Sequence, residues 1–391
     1  MEGGRYVSAV VILLLIGFSL VVYGIATSGR QHDFLTYYSA AKAYSMGLNP
    51  YNNDILSYVA DARINFPYVY PPVVLYLFKP LLLLDYQTSY LLYLALKVVC
   101  ILLLVGLWRK YFLPSPEYAI VLYVFCALAF NGTILRDLNA GNVSIFEQVF
   151  IWSAMVYYLK KKPFAYSFLI ALSAMFKITS IALLLMLLLD RNKKSLLAGA
   201  AALLVFSSVQ FVSYLHDPAM FGDFIKNARS LDEWGYLNPS SLAFIRDIMY
   251  HSFGWLFTGA YMDLIFYIPF ILILFALTYY STRKSDFQKN RMDLIIISLF
   301  LYALTMPRFK DYSYILLIVP AIHVIHRALS SHLSKLIIIY ALCTPPIPNL
   351  DRDYKALFLA FVLYLMFLWR VRVSSGEGRN TPVKNAPEKK G

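Results

Sequence analysis

The sequence has little cysteine, little charge and none of the short motifs that bind soluble cofactors. Three cysteines in 391 residues exclude a disulfide scaffold. Charged residues make up only 15% of the chain, whereas soluble domains average about 25%. The sequence contains no P-loop, no dinucleotide-binding glycine pattern, no zinc-protease motif and no nucleophile elbow. With 60% hydrophobic residues and a mean hydropathy of +0.60, the remaining class is a polytopic membrane protein.

Long apolar runs predict an all-α fold of about twelve transmembrane helices, because each crossing needs about 20 mostly apolar residues. The predicted spans are 7–26, 86–108, 117–135, 143–159, 164–176, 179–189, 195–214, 261–281, 292–306, 313–326, 334–348 and 354–370. Two of them are short and are separated by Lys177, which predicts a helical hairpin that turns back near this lysine. We expect one transmembrane domain over residues 1–372.

The distribution of basic residues predicts the orientation of the spans. With both termini in the cytoplasm, the inner segments hold 21 Lys and Arg against seven Asp and Glu, and the outer loops hold 13 against 14. This bias follows the positive-inside rule. It also accounts for the net charge of +13 without nucleic acid as a partner. The polar tail 373–391 is expected to be disordered in the cytoplasm, where it can contact anionic lipids.

Two long outer loops, 27–85 and 215–260, contrast with short cytoplasmic links. The first loop opens with HDFLTYYSAAKAYSMGLNPYNND, in which aromatic residues recur at helical spacing, so it predicts an amphipathic helix on the membrane surface. It continues with FPYVYPPVVLYLFKPLLLLD, an apolar run that is short for a span and predicts an interfacial or re-entrant helix. The outer face therefore carries a structured aromatic platform.

Asp33 and a nearby asparagine turn are candidates for chemistry on the outer face. Asp33 lies at the predicted start of the surface helix, where a carboxylate either stabilises the helix end or acts as a general base. Asn139 and Asn142 lie in the turn NAGN between two spans. Either they serve the turn itself, or their amides bind sugar hydroxyls.

Three cations are candidates for binding a lipid phosphate. Lys177 is a charge between two half-length apolar segments, which favours a functional role. Arg308 and Lys310 lie in the predicted outer turn PRFKDY, which is either a solvated loop or part of an anion site. No metal site is predicted, because the six histidines do not cluster at ligand spacing on the outer face, and the Asp-Arg-Asp run at 351–353 fits a helix start better than a metal site.

Three stretches of the sequence resemble a known family. The run DFLTYYSAAKAYSMGLNPY, followed by FPYVYPPVVLYLFKPLLLL, is similar to the outer-loop signature of glycosyltransferase family 87. The stretch LNAGNVSIFEQVFIWSAMVYYLKKKPFAYSFLIALSAMFKITSIALLLMLLLDR continues the resemblance in order, over about residues 7–210 in all. Members are polyprenyl-phosphate-mannose-dependent mannosyltransferases with the GT-C fold.

The resemblance implies an inverting transfer of mannose from a polyprenyl-phosphate donor to a glycolipid or glycan acceptor, without a cofactor, at the outer face of the plasma membrane. Asp33 matches the acidic residue on the first outer loop and would be the general base. Lys177 matches the hairpin lysine, although family members often have proline where this chain has Ile178. Lys177, Arg308 and Lys310 would bind the donor phosphate. The sugar or acceptor would contact the side chains of Tyr37, Tyr38, Asn139 and Asn142.

In some relatives a histidine stands where this chain has the turn from Arg308 to Tyr312, which leaves the acceptor type and the acid–base arrangement open.

Two other functions are compatible with a polytopic chain. A transporter or flippase of lipid-linked saccharides would show broken helices in both halves, whereas the only clear broken pair in the sequence is 164–189. A non-catalytic scaffold of the cell envelope would tolerate substitution of Asp33. The elaborate outer loops favour the transferase.

Overall fold

In the computed structural model, the chain is built from helices. The structure describes residues 2–29, 31–190, 192–230, 235, 238–253, 262–283, 290–344 and 354–377, and no strand occurs among them. The α-helices are α1 Glu2–Ser28, α2 His32–Ser45, α3 Asn53–Ala60, α4 Pro72–Phe78, α5 Tyr86–Tyr111, α6 Tyr118–Ala140, α7 Ser144–Leu159, α8 Pro163–Phe176, α9 Lys193–His216, α10 Pro218–Ser230, α11 Ser241–Phe253, α12 Met262–Thr282, α13 Arg291–Thr305, α14 Ile318–Ala328, α15 His332–Cys343 and α16 Lys355–Glu377. Among the described residues, 3₁₀ helices lie at Lys79–Leu83, Ile178–Asp190 and Asp311–Leu317.

Six helices in the described ranges are long and apolar enough to cross a membrane: α1, α5, α6, α9, α12 and α16. They indicate a membrane protein and confirm the predicted all-helical class. Each of the twelve predicted segments contains helix. Several of these helices are shorter than a full crossing, such as α8 with 14 residues. Twelve crossings and the orientation of the termini therefore stay predictions.

The first outer loop contains three α-helices whose ends follow from local chemistry. The Asn52 side chain accepts hydrogen bonds from two backbone amides and begins α3. Pro72 stands in the first turn of α4, where its missing N–H costs nothing. Asp85 caps α5 by accepting from the Thr88 amide at 3.0 Å. The loop is thereby divided into short rigid pieces.

Helix α2 packs into the protein. Its buried residues are Phe34, Thr36, Tyr37, Ser39, Ala40, Ala41 and Ala43. The Phe34 ring stacks on Tyr93 of α5 at a centroid distance of 4.5 Å. Residues from α2 therefore contact the helical core, and a position of α2 on the bilayer surface stays a prediction.

The helical conformation is interrupted at Lys177, between the two half-length segments. Helix α8 ends at Phe176, Lys177 is extended with φ −135° and ψ 107°, and a 3₁₀ helix follows from Ile178. The two arms pack against each other, as a hairpin requires. An extended residue at this point directs the lysine side chain out of the helix axis.

Helix α6 is interrupted, which the sequence did not predict. Phe130, Asn131 and Gly132 all have positive φ values, between 50° and 69°. Long-range contacts hold the break, because Phe130 stacks on Tyr314 at 5.6 Å and Thr133 donates to the Asp311 carbonyl at 2.8 Å. At this interruption, α6 contacts the turn that precedes α14.

The buried core lies around α13 and α14. All residues of α14 from Ile318 to Ile325 are buried. Helix α16 packs against α12, α13 and α14, whereas α7 packs against α5 and α8. The outer loop 215–260 contains α10 and α11, and parts of this loop, the 351–353 run and the tail from 378 onward lie outside the described residues.

Candidate functional site

A cavity of about 280 Å³ lies where the first outer loop meets four later parts of the chain. Its polar and charged lining comes from α2, the asparagine turn, the lysine break and the turn before α14. Apolar side chains line the same cavity. The lining residues are Asp33, Thr36, Tyr37, Phe66, Pro67, Val69, Tyr70, Pro71, Asn142, Phe176, Lys177, Ile178, Thr179, Phe224, Ala228, Arg308, Lys310, Tyr312 and Ser313.

The Asp33 carboxylate lies in the first turn of α2, where the helix dipole favours a negative charge. Its side chain is 15% exposed. The Oδ2 atom accepts a hydrogen bond from Asn142 Nδ2 at 2.6 Å, and Oδ1 lies 3.5 Å from His32 Nε2. One carboxylate oxygen is thus fixed in place beside the cavity.

Asn142 connects Asp33 to a cluster of tyrosines. Its Nδ2 atom also lies within hydrogen-bond distance of three phenol oxygens, those of Tyr37 at 3.1 Å, Tyr70 at 3.3 Å and Tyr312 at 3.0 Å. On the other side, Oδ1 accepts from the Ser144 amide at 3.1 Å and from its hydroxyl at 2.8 Å. Because two donors face Oδ1, the NH₂ group must face Asp33.

The tyrosine hydroxyls of this cluster remain protonated. The Tyr37 and Tyr70 hydroxyls lie 2.8 Å apart. Burial and the nearby Asp33 charge raise the pKa of Tyr37 and Tyr312, and the same causes raise the pKa of Tyr70. Neutral phenols can donate hydrogen bonds to a sugar but cannot act as bases at neutral pH.

A buried ion pair holds the asparagine turn. Lys97 Nζ lies 2.7 Å from Asp137 Oδ2, and both side chains are fully buried. The same ammonium donates to the carbonyl oxygens of Asp137 at 2.6 Å and Asn142 at 2.7 Å. Gly141, with φ +72°, ends α6 between them. The charged side chain of Lys97 therefore holds the backbone at Asn142 in place.

Side-chain oxygen atoms surround the ammonium group of Lys177. Its Nζ atom forms an ion pair with Glu147 Oε2 at 3.0 Å, donates to the Ser144 hydroxyl and lies 3.3 Å from the Ser313 hydroxyl. It also lies 5.1 Å from the centre of the Tyr312 ring. Since Ser144 donates in turn to Asn142, hydrogen bonds connect Lys177 to Asp33 through two side chains.

The turn with the other two cations is fixed by polar contacts. Arg136 of α6 forms an ion pair with Asp311 at 2.6 Å. The Pro307 carbonyl accepts from Ser240 at 2.7 Å, and the Phe309 amide donates to Asn238 at 2.9 Å. Both Arg308 and Lys310 line the cavity. A turn held from two sides can present cations at a defined place.

A comparison with protein-family models identifies the chain. Residues 68–307 match the model of glycosyltransferase family 87. The chain belongs to this family. It is therefore a glycosyltransferase, as the sequence resemblance predicted. No curated protein matches the sequence.

The structure brings together six of the eight site residues predicted for this glycosyltransferase. The cavity is lined by Asp33, Tyr37, Asn142, Lys177, Arg308 and Lys310. The matched family region contains Asn142 and Lys177, whereas Asp33, Arg308 and Lys310 lie outside it.

Tyr38 and Asn139 lie away from the cavity. The Tyr38 hydroxyl donates to the Leu84 carbonyl at 3.1 Å, and its ring packs edge-on against Tyr86. Asn139 is exposed and lines a different groove, beside α1 and α15. In α2 and at the end of α6, neighbouring residues face different directions because a helix turns by about 100° per residue.

Sequence reasoning overlooked several residues of the site. Lys97 and Glu147 are charges inside apolar spans, and that signal alone could have marked them. Tyr70 and Tyr312 carried no such signal, because the chain has 32 tyrosines. Ser144 is a common helix-start residue and was equally inconspicuous.

The described residues contain no group of three or more His, Cys, Asp or Glu side chains that could hold a metal ion. The acidic run at 351–353 lies outside them. That this glycosyltransferase needs no metal stays a prediction from the resemblance and the cationic lining.

Proposed function

We propose that this glycosyltransferase moves a sugar, most simply mannose, from a polyprenyl-phosphate donor to an acceptor hydroxyl, with Asp33 as the general base. The observation that carries the proposal is one cavity lined by an anchored carboxylate together with three cationic side chains. A base for the acceptor and a site for the leaving phosphate are the two groups that such a transfer needs.

The lining suits an amphiphilic donor. Lys177, Arg308 and Lys310 provide positive charge for a phosphate, and apolar side chains line the same cavity. A prenyl chain is purely apolar, whereas its phosphate and sugar are polar. The neutral hydroxyls of Tyr37 and Tyr70 line the cavity and can orient sugar hydroxyls or the acceptor, whereas the amide of Asn142, which also lines it, donates to Asp33.

The proposed reaction is a single displacement. Asp33 accepts the proton of the acceptor hydroxyl while that oxygen forms a bond to the anomeric carbon. The bond from the anomeric carbon to the phosphate oxygen breaks, and its electron pair remains on the departing polyprenyl phosphate. Lys177, Arg308 and Lys310 stabilise the charge on that phosphate. Attack from the opposite face inverts the anomeric centre, so a β-linked donor gives an α-glycoside.

The distribution of charge supports a location on the outer face. Lys and Arg are concentrated in the segments assigned to the cytoplasm, and the cavity is lined by residues of the predicted outer loops. A lipid-linked donor fits that location, since nucleotide sugars are not present outside. In this proposal the protein is a multi-pass protein of the plasma membrane, and its acceptor is a glycolipid or a glycan.

The decisive experiment compares the wild type with Asp33→Asn in nanodiscs. We would incubate each with radiolabelled polyprenyl-phosphate-mannose and a membrane-lipid extract, and measure released polyprenyl phosphate and labelled acceptor. Asp54→Asn is the matched control, because Asp54 also lies in the first turn of an outer-loop helix but is exposed outside the cavity.

Transfer by the wild type and Asp54→Asn but not by Asp33→Asn is the expected result. Equal transfer by all three would remove Asp33 as the base. Absence of transfer by the folded wild type from any lipid-linked sugar would instead favour transport of lipid-linked saccharides.

A further inference from the structure

Glu147 is a buried carboxylate that the transfer reaction does not use. It lies in the first turn of α7, and its side chain is 3% exposed. Oε2 pairs with Lys177 at 3.0 Å, and Oε1 accepts a hydrogen bond from Ser180 at 2.7 Å. Within the described residues, Lys177 is the only cation in ion-pair distance of Glu147. A charge in this setting is costly to bury and needs a reason.

The geometry leaves Lys177 one position for an anion. Three oxygens surround its Nζ atom, those of Glu147, Ser144 and Ser313. Of the three residues, only Ser313 lines the cavity, and its contact is the longest at 3.3 Å. An arriving phosphate oxygen can therefore replace Ser313 without disturbing the Glu147 pair. The bound phosphate then shares Lys177 with a fixed negative charge.

That fixed charge affects donor and product differently. The donor is a phosphodiester with one negative charge, whereas the product is a phosphomonoester with a charge of about −1.5 to −2 at neutral pH. In a weakly screened site, Glu147 repels the more highly charged product more strongly. We propose that Glu147 is a specificity-determining residue, which offsets part of the Lys177 charge so that polyprenyl phosphate leaves after transfer. The inference rests on the proposed lipid donor.

The test is a binding measurement with two probes, farnesyl phosphate and its monomethyl ester. They share one prenyl chain and differ by the second ionisation of the phosphate. Affinities of the wild type and Glu147→Gln would be measured in detergent by titration calorimetry. We expect Glu147→Gln to bind the monoester at least tenfold more tightly, a change of about 1.4 kcal/mol. A tenfold gain for the monoester corresponds to a smaller gain for the singly charged diester, about threefold to fivefold, because the repulsion is proportional to the charge of the ligand.

Three further variants separate charge from structure. Glu147→Asp keeps the charge and should keep the wild-type ratio of the two affinities. Asp190→Asn removes a carboxylate from a cation pair with Arg291, far from the cavity, and should leave both affinities unchanged. Lys177→Met should weaken the binding of both probes, because it removes the cation that contacts the phosphate in this proposal.

The outcomes distinguish this inference from the proposed function. If the wild type binds neither probe and Lys177→Met changes nothing, the phosphate site itself is wrong. If the wild type binds both probes through Lys177 but Glu147→Gln leaves their ratio unchanged, only the role of Glu147 is refuted. Weaker monoester binding by folded Glu147→Gln would also refute it.

Discussion

Replacing Asn142 by alanine tests how Asp33, the proposed general base, is held. The Asn142 amide donates to Asp33 Oδ2 at 2.6 Å, and its orientation is set by the two Ser144 donors that face Oδ1. Asn142 is 2% exposed, so water does not easily take its place. In Asn142→Ala the carboxylate loses its charged hydrogen bond and can rotate away from the acceptor hydroxyl.

The size of the effect follows from that one bond. A hydrogen bond to a charged group contributes about 1.5–3 kcal/mol. At about 1.36 kcal/mol for each factor of ten in rate, kcat should fall by about tenfold to 150-fold. The KM for the donor should change little, because the cationic side chains that are proposed to bind its phosphate are retained. Loss of the partner for Ser144 should also lower the free energy of unfolding by about 1–3 kcal/mol.

The assay measures initial rates of the proposed mannose transfer in nanodiscs, with thermal unfolding of each variant as a check on folding. Asn139→Ala is the matched comparison, because this exposed residue of the same turn lies outside the cavity. It should retain at least half of the wild-type kcat. A full rate in folded Asn142→Ala, or a larger loss in Asn139→Ala, would refute the assignment.

A second substitution at Asn142 adds a pH signature. In Asn142→Asp two carboxylates would stand within hydrogen-bond distance, so both cannot be ionised at low cost. With one shared proton the pair mimics the native hydrogen bond. Activity of Asn142→Asp should therefore fall, relative to the wild type, as the pH rises and that proton is lost. A ratio that does not depend on pH would contradict the reasoning.

Three further predictions concern the support of the site. Lys97→Met leaves the Asp137 charge buried without its partner and should destabilise the protein by about 3–5 kcal/mol, measured as a lower Tm in nanodiscs. The double variant Lys97→Met with Asp137→Leu should recover much of that lost stability. Gly141→Ala should lower both Tm and kcat, because φ is +72° and the new Cβ atom would lie 2.7 Å from the Cβ atom of Gln31. Unchanged Tm and kcat values would show that the turn is not rigid. Burial raises the folded-state pKa of Tyr37, Tyr70 and Tyr312. Their contribution to stability is therefore fully present below the ordinary tyrosine pKa of about 10 and is lost as the pH rises above it. Tm should fall in that pH range, and it should fall less in a variant with phenylalanine at all three positions.

The fold class could be predicted from the sequence because it depends on local composition. Apolar runs predicted the positions of helices, and Lys177 between two half-length segments marked where one helix ends. The break inside α6 was not predicted. It depends on contacts with Tyr314 and Asp311, about 180 residues further along the chain.

The sequence by itself determined that the chain is an apolar, all-helical protein with charged residues in a few unusual places, and its motifs determined the family. Both properties are local, since hydropathy, capping and short motifs are read within about 20 residues. Only the tertiary structure decided that Asp33, Asn142 and Lys177 share one cavity, while Tyr38 and Asn139 lie outside it. Only it paired Lys177 with Glu147. The physical reason is that helix packing sets which faces meet, and a rotation of one residue changes the face.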